Sequence, residues 1–344
     1  MSKYGSSDRR NFLKSLAGIT AGLMIPYRGF STGGTGLSPS DRLGEKLPLR
    51  KLGNTGEEVT MLGLGGYHIG WTTEKEAQAT IEAALEGGVR FFDNAESYSD
   101  GLSEERYGKY LIPKYRDEIF LMTKTYSTDA KTARKHLEGS LRRLNTDVID
   151  LWQVHTLQTP GDVDKRIDNG VLDVVEEAKK SGKVRYVGFT GHNNPYAHKR
   201  MLERTEASFF DTCQFPVNVL DAGAEHSFIN TLMQRLMDRN TGILAMKTLA
   251  DGRFFNKKVQ QGEVIWDTNN PVVPGQINLE EALSFAWSLP ISVLITGAEN
   301  PQLLREKVNM AKRFEKMSEK ERNALVEKVA DISNRKDVEY YKNV

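Results

Sequence analysis

The sequence predicts a closed (β/α)8 barrel, with an N-terminal β-hairpin and an extra C-terminal helix, and three observations carry that reading. Eight short apolar runs recur at 61–66, 91–93, 119–123, 148–154, 184–189, 212–215, 243–246 and 293–296. Between them lie stretches with apolar residues three and four apart, as at 74–85, 132–144, 171–180 and 228–237, the spacing of an amphipathic helix. No Gly-x-Gly-x-x-Gly fingerprint accompanies them, which argues against an open doubly wound sheet. Unbroken apolar runs mark strands covered on both faces, and alternation with helices makes such strands parallel.

Residues 1–30 stand apart from this rhythm. Asp8-Arg9-Arg10-Asn11-Phe12-Leu13-Lys14 precedes a mildly apolar run at 15–26. The pattern resembles a bacterial twin-arginine (Tat) export signal. A run of about a dozen residues falls short of the roughly 20 needed to span a bilayer, so no stable membrane span is expected. The resemblance implies the Tat translocase as a partner and a periplasmic destination, reached after folding in the cytoplasm. Residues 31–46, rich in Gly, Ser and Thr, read as a flexible linker, and the barrel domain is expected over 47–344.

Within that domain, Gly53-Asn54-Thr55-Gly56 lies between extended stretches at 49–59 and reads as a hairpin closing the barrel floor. After the eighth unit, Ser318 and Glu321 have capping-box spacing and start a last helix running to about 333. A chain of 344 residues with 39% hydrophobic content buries a large core without help from disulfides. Cys213 is its one cysteine, and with no His-Glu-x-x-His motif no metal site is expected. Lys and Arg total 47 against 46 acidic residues; that balance provides no basic field for a nucleic acid partner.

Chemistry in a (β/α)8 barrel sits at the carboxyl ends of the strands. The second strand ends at Asp93, with Tyr98 just beyond it; the third leads to Lys124 and the fourth to His155. Lys124 follows Asp93 by 31 residues and His155 follows Lys124 by 31, one βα unit each time, so all should reach one rim. A lone strand-end Asp or His is more often a cap or a structural residue. A carboxylate, an amine, an imidazole and a phenol together are the parts of a proton-transfer site. Asp93 should keep Lys124 charged, and that charge should lower the pKa of Tyr98 and make it a proton donor near neutrality.

Over roughly 47–316 the chain is similar to the aldo-keto reductase family. Phe92-Asp93-Asn94-Ala95-Glu96-Ser97-Tyr98 resembles that family's Asp-Thr-Ala-x-x-Tyr stretch, and 147–155 resembles its fourth strand. The resemblance implies a catalytic tetrad of Asp93, Tyr98, Lys124 and His155. It also implies a nicotinamide cofactor, NADP(H) first and NAD(H) as competitor, and reversible hydride transfer to a carbonyl, with Tyr98 as general acid or base. Implied cofactor contacts are Gly66 after the first strand, Thr190 and Gln214 for the nicotinamide amide, and Met246, Lys247 and Leu249 after the seventh strand. Lys247 is assigned to the pyrophosphate. Gly297, in Thr296-Gly297-Ala298-Glu299-Asn300-Pro301, opens the turn where the adenosine phosphate is held. Leu303 stands where many members have Arg, so Arg305 and Lys307 are expected to hold a 2′-phosphate. His192 replaces a missing amide contact, faces the substrate, or is a structural loop histidine.

Substrate identity lies on loops. Tyr67, Trp71 and Trp152 are aromatic candidates near the mouth, with core packing the plainer reading for Trp152, and an insertion at 251–278 carries Phe254, Phe255 and Trp266. An aldehyde, a ketone or a sugar all fit. Two other readings are a redox-neutral sugar isomerase, epimerase or lyase that keeps its cofactor, and a cofactor-binding module of low turnover. The tetrad disfavours the latter.

Overall fold

The apolar runs form strands because their side chains are covered on both faces, and in the computed structural model they close into a barrel. The structure describes residues 39–254, 276–336 and 338–344, with the backbone of 257–260 and 263–267. The barrel strands are β1 (Leu62–Gly65), β2 (Phe91–Asp93), β3 (Phe120–Thr125), β4 (Ile149–Val154), β5 (Val184–Thr190), β6 (Thr212–Pro216), β7 (Gly242–Met246) and β8 (Val293–Thr296). Each pairs in parallel with the next, and β8 returns to β1 with Leu294 opposite Leu62 and Thr296 opposite Leu64. Register carries the chemistry: Asp93 lies opposite Met122 and Lys124 opposite Gln153, so the strand ends rise to a common rim.

The helices that cover the barrel begin where the sequence supplies caps. Thr73 and Glu76 form a capping box at α1 (Glu74–Glu86). The later helices are α2 (Leu102–Tyr110), α3 (Ala130–Leu144), α4 (Pro160–Asp168), α5 (Val171–Lys180), α6 (Pro195–Arg204), α7 (Phe228–Asp238), α8 (Leu279–Trp287), α9 (Pro301–Lys312) and α10 (Glu319–Lys328). The expected Ser318 and Glu321 capping box starts α10. Among the described residues, no helix is long and apolar enough to cross a membrane.

The expected hairpin pairs Leu49–Lys51 with Glu58–Thr60. Leu52 and Val59 join Phe91, Phe120, Leu151, Leu244 and Val293 in one buried cluster that plugs the barrel floor. Burial of each such side chain contributes about 1.5–3 kcal/mol. The Phe91 and Phe120 rings stack there at 5.1 Å.

One boundary differs from expectation. The linker reading ran to residue 46, but Ser40–Asp41 and Gly44–Glu45 pair as a small antiparallel hairpin. Its anchor is ionic: the Asp41 carboxylate accepts from Arg90 Nε at 2.7 Å and Nη2 at 3.0 Å. Arg90 is buried and needs that counter-ion. Polar composition conceals such a tie. The insertion contains an antiparallel pair, Lys257–Gln260 with Glu263–Asp267, and Phe254 is buried. The side chains of Phe255 and Trp266, and the whole 1–30 segment, lie outside the described residues.

Candidate active site

Strand register brings the four expected side chains together at the carboxyl end of the barrel. Lys124, near the end of β3, is buried and spends its three donors locally: on the Asp93 carboxylate, on the Asn94 carbonyl at 2.7 Å and on Tyr98 Oη at 3.1 Å. Tyr98 opens a tight turn in which Ser99 and Asp100 have left-handed φ values of 51° and 55°. Non-glycine residues in that conformation are costly and gather at functional sites. The Tyr98 ring meets His155 edge-on at 5.8 Å and Tyr67 at 5.5 Å. A carbonyl oxygen placed between phenol and imidazole would face a proton donor already fixed by an ammonium.

Electrostatics corrects one expectation. Lys124 was expected to bring the phenol below its ordinary value. Instead burial pushes Tyr98 up, and Asp93 and Glu96 add to that push, so the opposing pull of Lys124 is outweighed. The phenol is therefore held in its protonated form. Burial pulls the Lys124 amine down, yet Asp93 and Tyr98 together hold it above its usual value, and it remains an ammonium. Burial and the charges of Lys124, His192 and Arg166 hold His155 well below 6.5, leaving a neutral imidazole.

The side chains expected to hold a cofactor divide into three groups. Thr190 Oγ1, at the end of β5, and Gln214 Oε1, midway along β6, are buried without a hydrogen-bond partner among the described residues, as donor and acceptor positions for an amide would be. Met246 is half-buried at the end of β7. Lys247, at φ 55°, has its Nζ 3.5 Å from Asp251 and 5.2 Å from the centre of the Tyr341 ring. Leu249 packs against the core instead of presenting a polar contact.

Gly66 and Gly297 are required by close approach. A Cβ at Gly66 would stand 2.5 Å from the Asp93 carbonyl oxygen, and one at Gly297 would stand 2.2 Å from the His68 ring. The expected phosphate cations separate. Lys307 is buried beneath the turn, donating to Thr296 Oγ1 at 3.0 Å and Gly297 O at 2.6 Å. Burial pulls its amine down to about 8. It therefore secures the turn and does not present its amine to a phosphate. Arg305 is half exposed and reaches Glu86 on α1 at 3.5 Å.

Among the aromatic candidates, Tyr67 is exposed at the mouth, while Trp71 and Trp152 are buried, Trp152 wholly so. His192 meets the Tyr341 ring edge-on at 5.7 Å.

Several residues of the rim escaped sequence reasoning. Arg166, buried on α4, donates to the carbonyls of Ser127 and His155 at 3.0 Å each and of Thr156 at 3.3 Å. It fixes the backbone that carries His155. Thr248 Oγ1 is another buried hydroxyl without a partner among the described residues.

Segment 338–344 runs over the loops that follow β5, β6 and β7. Lys342 binds Asp221 at 2.6 Å and Glu339 at 2.5 Å. Asn218 Nδ2 donates to Glu339 at 2.9 Å, Tyr340 bonds to Asp251, and Asn343 N donates to Asn193 O at 2.8 Å. Its sequence carries no periodicity that would announce this seat.

The family model described as the Aldo/keto reductase family matches residues 61–330. A 6-dehydroglucose reductase of Novosphingobium aromaticivorans is 33% identical over 258 residues, covering 69% of this chain and 81% of its own. L-galactose dehydrogenase of Arabidopsis thaliana is 28% identical over 241 residues, covering 66% of this chain and 72% of its own. In fold, the chain is similar to an aldo-keto reductase of Bacillus halodurans in its holo form, with a TM-score of 0.68 and 22% identity, over 82% of this chain and 96% of that one. With the barrel and the strand-end residues described above, the match over 61–330 means that this chain belongs to the aldo/keto reductase family of oxidoreductases acting on carbonyl and alcohol groups.

Proposed function

We propose that the protein reduces a carbonyl, or oxidises the matching alcohol, with Tyr98 as general acid or base, NADP(H) as cofactor and a sugar as substrate. The observation that carries this reading is the 3.1 Å contact between Lys124 Nζ and Tyr98 Oη, with Lys124 anchored on Asp93. When bound, the nicotinamide supplies or takes up hydride. The protein's own groups manage the charge and proton that accompany it. Tyr98 Oη gives its proton to the carbonyl oxygen as negative charge grows there, and the ammonium of Lys124 stabilises the phenolate left behind. The neutral His155 orients the oxygen by hydrogen bonding.

The unpartnered Thr190 Oγ1 and Gln214 Oε1 fit a carboxamide, and Lys247 would meet the pyrophosphate. Arg305, tied among the described residues by a long surface pair with Glu86 that is worth little, is the residue we assign to the 2′-phosphate. A sugar substrate is supported by the names of two relatives, a 6-dehydroglucose reductase and an L-galactose dehydrogenase. The Arg9-Arg10-Asn11-Phe12-Leu13-Lys14 pattern supports export in folded form to the periplasm. It also favours a second reading: a cofactor carried out with the protein and recycled within each turnover would make the reaction a redox-neutral sugar isomerisation, epimerisation or lyase step.

Tyr98→Phe should abolish hydride transfer while sparing cofactor affinity, measured by turnover of a sugar panel and by cofactor titration. Retained turnover in that variant would remove Tyr98 from its role. Product mass then separates the two readings, since net reduction adds two hydrogens and isomerisation none.

A further inference from the structure

A second carboxylate stands beside the tetrad. Glu96 lies on the loop between Asp93 and Tyr98, and its side chain is buried. Its Oε1 accepts the backbone N–H of Tyr126, two residues beyond Lys124, at 2.6 Å. The same oxygen lies 3.1 Å from Nδ1 of His136 on α3, and that nitrogen is also 3.0 Å from Thr125 Oγ1. Oε2 of Glu96 is buried with no hydrogen-bond partner among the described residues. A carboxylate only accepts, so the contact with His136 requires a proton on Nδ1. Glu96 thus ties the loop that carries Tyr98 to the strand end that carries Lys124, and His136 closes the contact from α3.

Charged and titratable groups from several elements surround Tyr98. Asp93 from β2 and Lys124 from β3 form one ion pair and largely cancel. Tyr67 after β1 and Tyr107 on α2 contribute neutral phenols, and burial holds Tyr107 well above its ordinary value. His155 from β4 is neutral, and Arg166 from α4 lies behind it against the Tyr126 ring. His136 from α3 stands on Glu96. The negative charge left without a fixed cation is that of Glu96.

We infer that Glu96 is a positioning residue for Tyr98: its carboxylate, held by the Tyr126 N–H and by His136, aligns the phenol with Lys124 and supplies a negative charge that the phenol experiences. This rests on the role given to Tyr98 under Proposed function. The charge acts in the direction already noted, since burial first, and Asp93 and Glu96 after it, hold the proton on Tyr98 against the pull of Lys124. Glu96 therefore keeps the acid form available at higher pH and favours carbonyl reduction over alcohol oxidation there.

The test is the ionisation of Tyr98, followed by NMR of tyrosine ring carbons in the full chain, with Tyr98→Phe to assign the signal, beside the pH profile of carbonyl reduction. Glu96→Gln keeps an acceptor for the Tyr126 N–H and removes the charge. Both the phenol titration and the alkaline limb of the rate should move to lower pH, by roughly a few tenths of a unit, because Glu96 contributes less than burial, Lys124 or Asp93. His136→Gln keeps a donor to Glu96 and leaves the carboxylate's charge in place, and should leave the alkaline limb where it is. A phenol titration unmoved by Glu96→Gln in a protein that still turns over overturns the inference and leaves the proposed function standing. A titration that moves in a protein without hydride transfer upholds the inference about charge and overturns the proposed function. An alkaline limb that moves as far to lower pH in His136→Gln as in Glu96→Gln also overturns it, because the shift would then follow from loosening the contact and not from the charge of Glu96.

Discussion

Removing Lys124 separates what this residue does for stability from what it does for chemistry. In Lys124→Met the Asp93 carboxyl stays buried without its cation, and the Asn94 carbonyl loses a donor. Breaking one side of a buried pair typically costs about 3–5 kcal/mol, whereas replacing both partners with neutral groups of similar volume is often close to neutral. Folding about 300 residues carries an unfolding entropy near 0.6 kcal/mol/K, so the single variant should melt about 5–8 °C lower. The double variant Asp93→Asn with Lys124→Met should recover most of that loss. Under the mechanism proposed for Tyr98, neither should transfer hydride, because a phenolate formed there would lack its ammonium in both. Melting followed by circular dichroism, with turnover measured on the same samples, completes the cycle. A single variant that costs less than about 1 kcal/mol, or a double variant as unstable as the single, would refute the view that this pair is held together chiefly to place a charge.

Thr190→Val removes a buried hydroxyl that has no partner among the described residues. The cofactor-free protein should gain about 1 kcal/mol while nicotinamide affinity falls about tenfold, read by thermal melts and titration; unchanged affinity would remove Thr190 from the amide site. Arg305→Ala should weaken NADPH binding by about tenfold and leave NADH binding nearly unchanged, and equal losses for both would remove Arg305 from the 2′-phosphate. Acid should destabilise the fold through its neutral imidazoles. Burial holds His155 well below 6.5 and brings His198 to about 4. Above about pH 6.5 both states are neutral and stability is full. Below it the unfolded chain takes up protons that the native state refuses, and each of the two imidazoles should cost up to about 1.4 kcal/mol per pH unit. Denaturant titrations between pH 7 and 4.5 would show this slope, and a flat profile would contradict the assigned neutrality.

The strands were legible because two-sided burial writes itself as unbroken apolar text. Each of the eight runs at 61–66 through 293–296 became a barrel strand with ends within a few residues of the expected ones. The tetrad was legible for a related reason: a repeat of one βα unit returns side chains to the same rim, so the spacing of Asp93, Lys124 and His155 already fixed their neighbourhood. What failed to show was direction and depth. Lys307 carries a charge and lies close to the cofactor turn, yet its place on the inner face of α9 sends the amine under Gly297. Burial dominates the Tyr98 phenol, and no residue spacing reports how dry a position is. Arg166 reaches the Ser127 carbonyl and Lys342 the Asp221 carboxylate, 39 and 121 residues away, and no local pattern encodes such partners.

The seat of segment 338–344 has a consequence for how the molecule breathes. Its anchors are Lys342 on Asp221 and Glu339 on Asn218, and each bridges positions 121 residues apart. They lie on the rim, outside the ladder of the barrel. Such a segment can lift and reseat as a unit while all eight strands stay paired, because opening free energies in one protein range from near zero to the global value. Hydrogen exchange should then find two tiers of protection, with amides of the rim loops after β5, β6 and β7 trading protons long before those of β2 to β4. The wall of the site beside Lys247 would open and reclose many times within the lifetime of a single folded barrel.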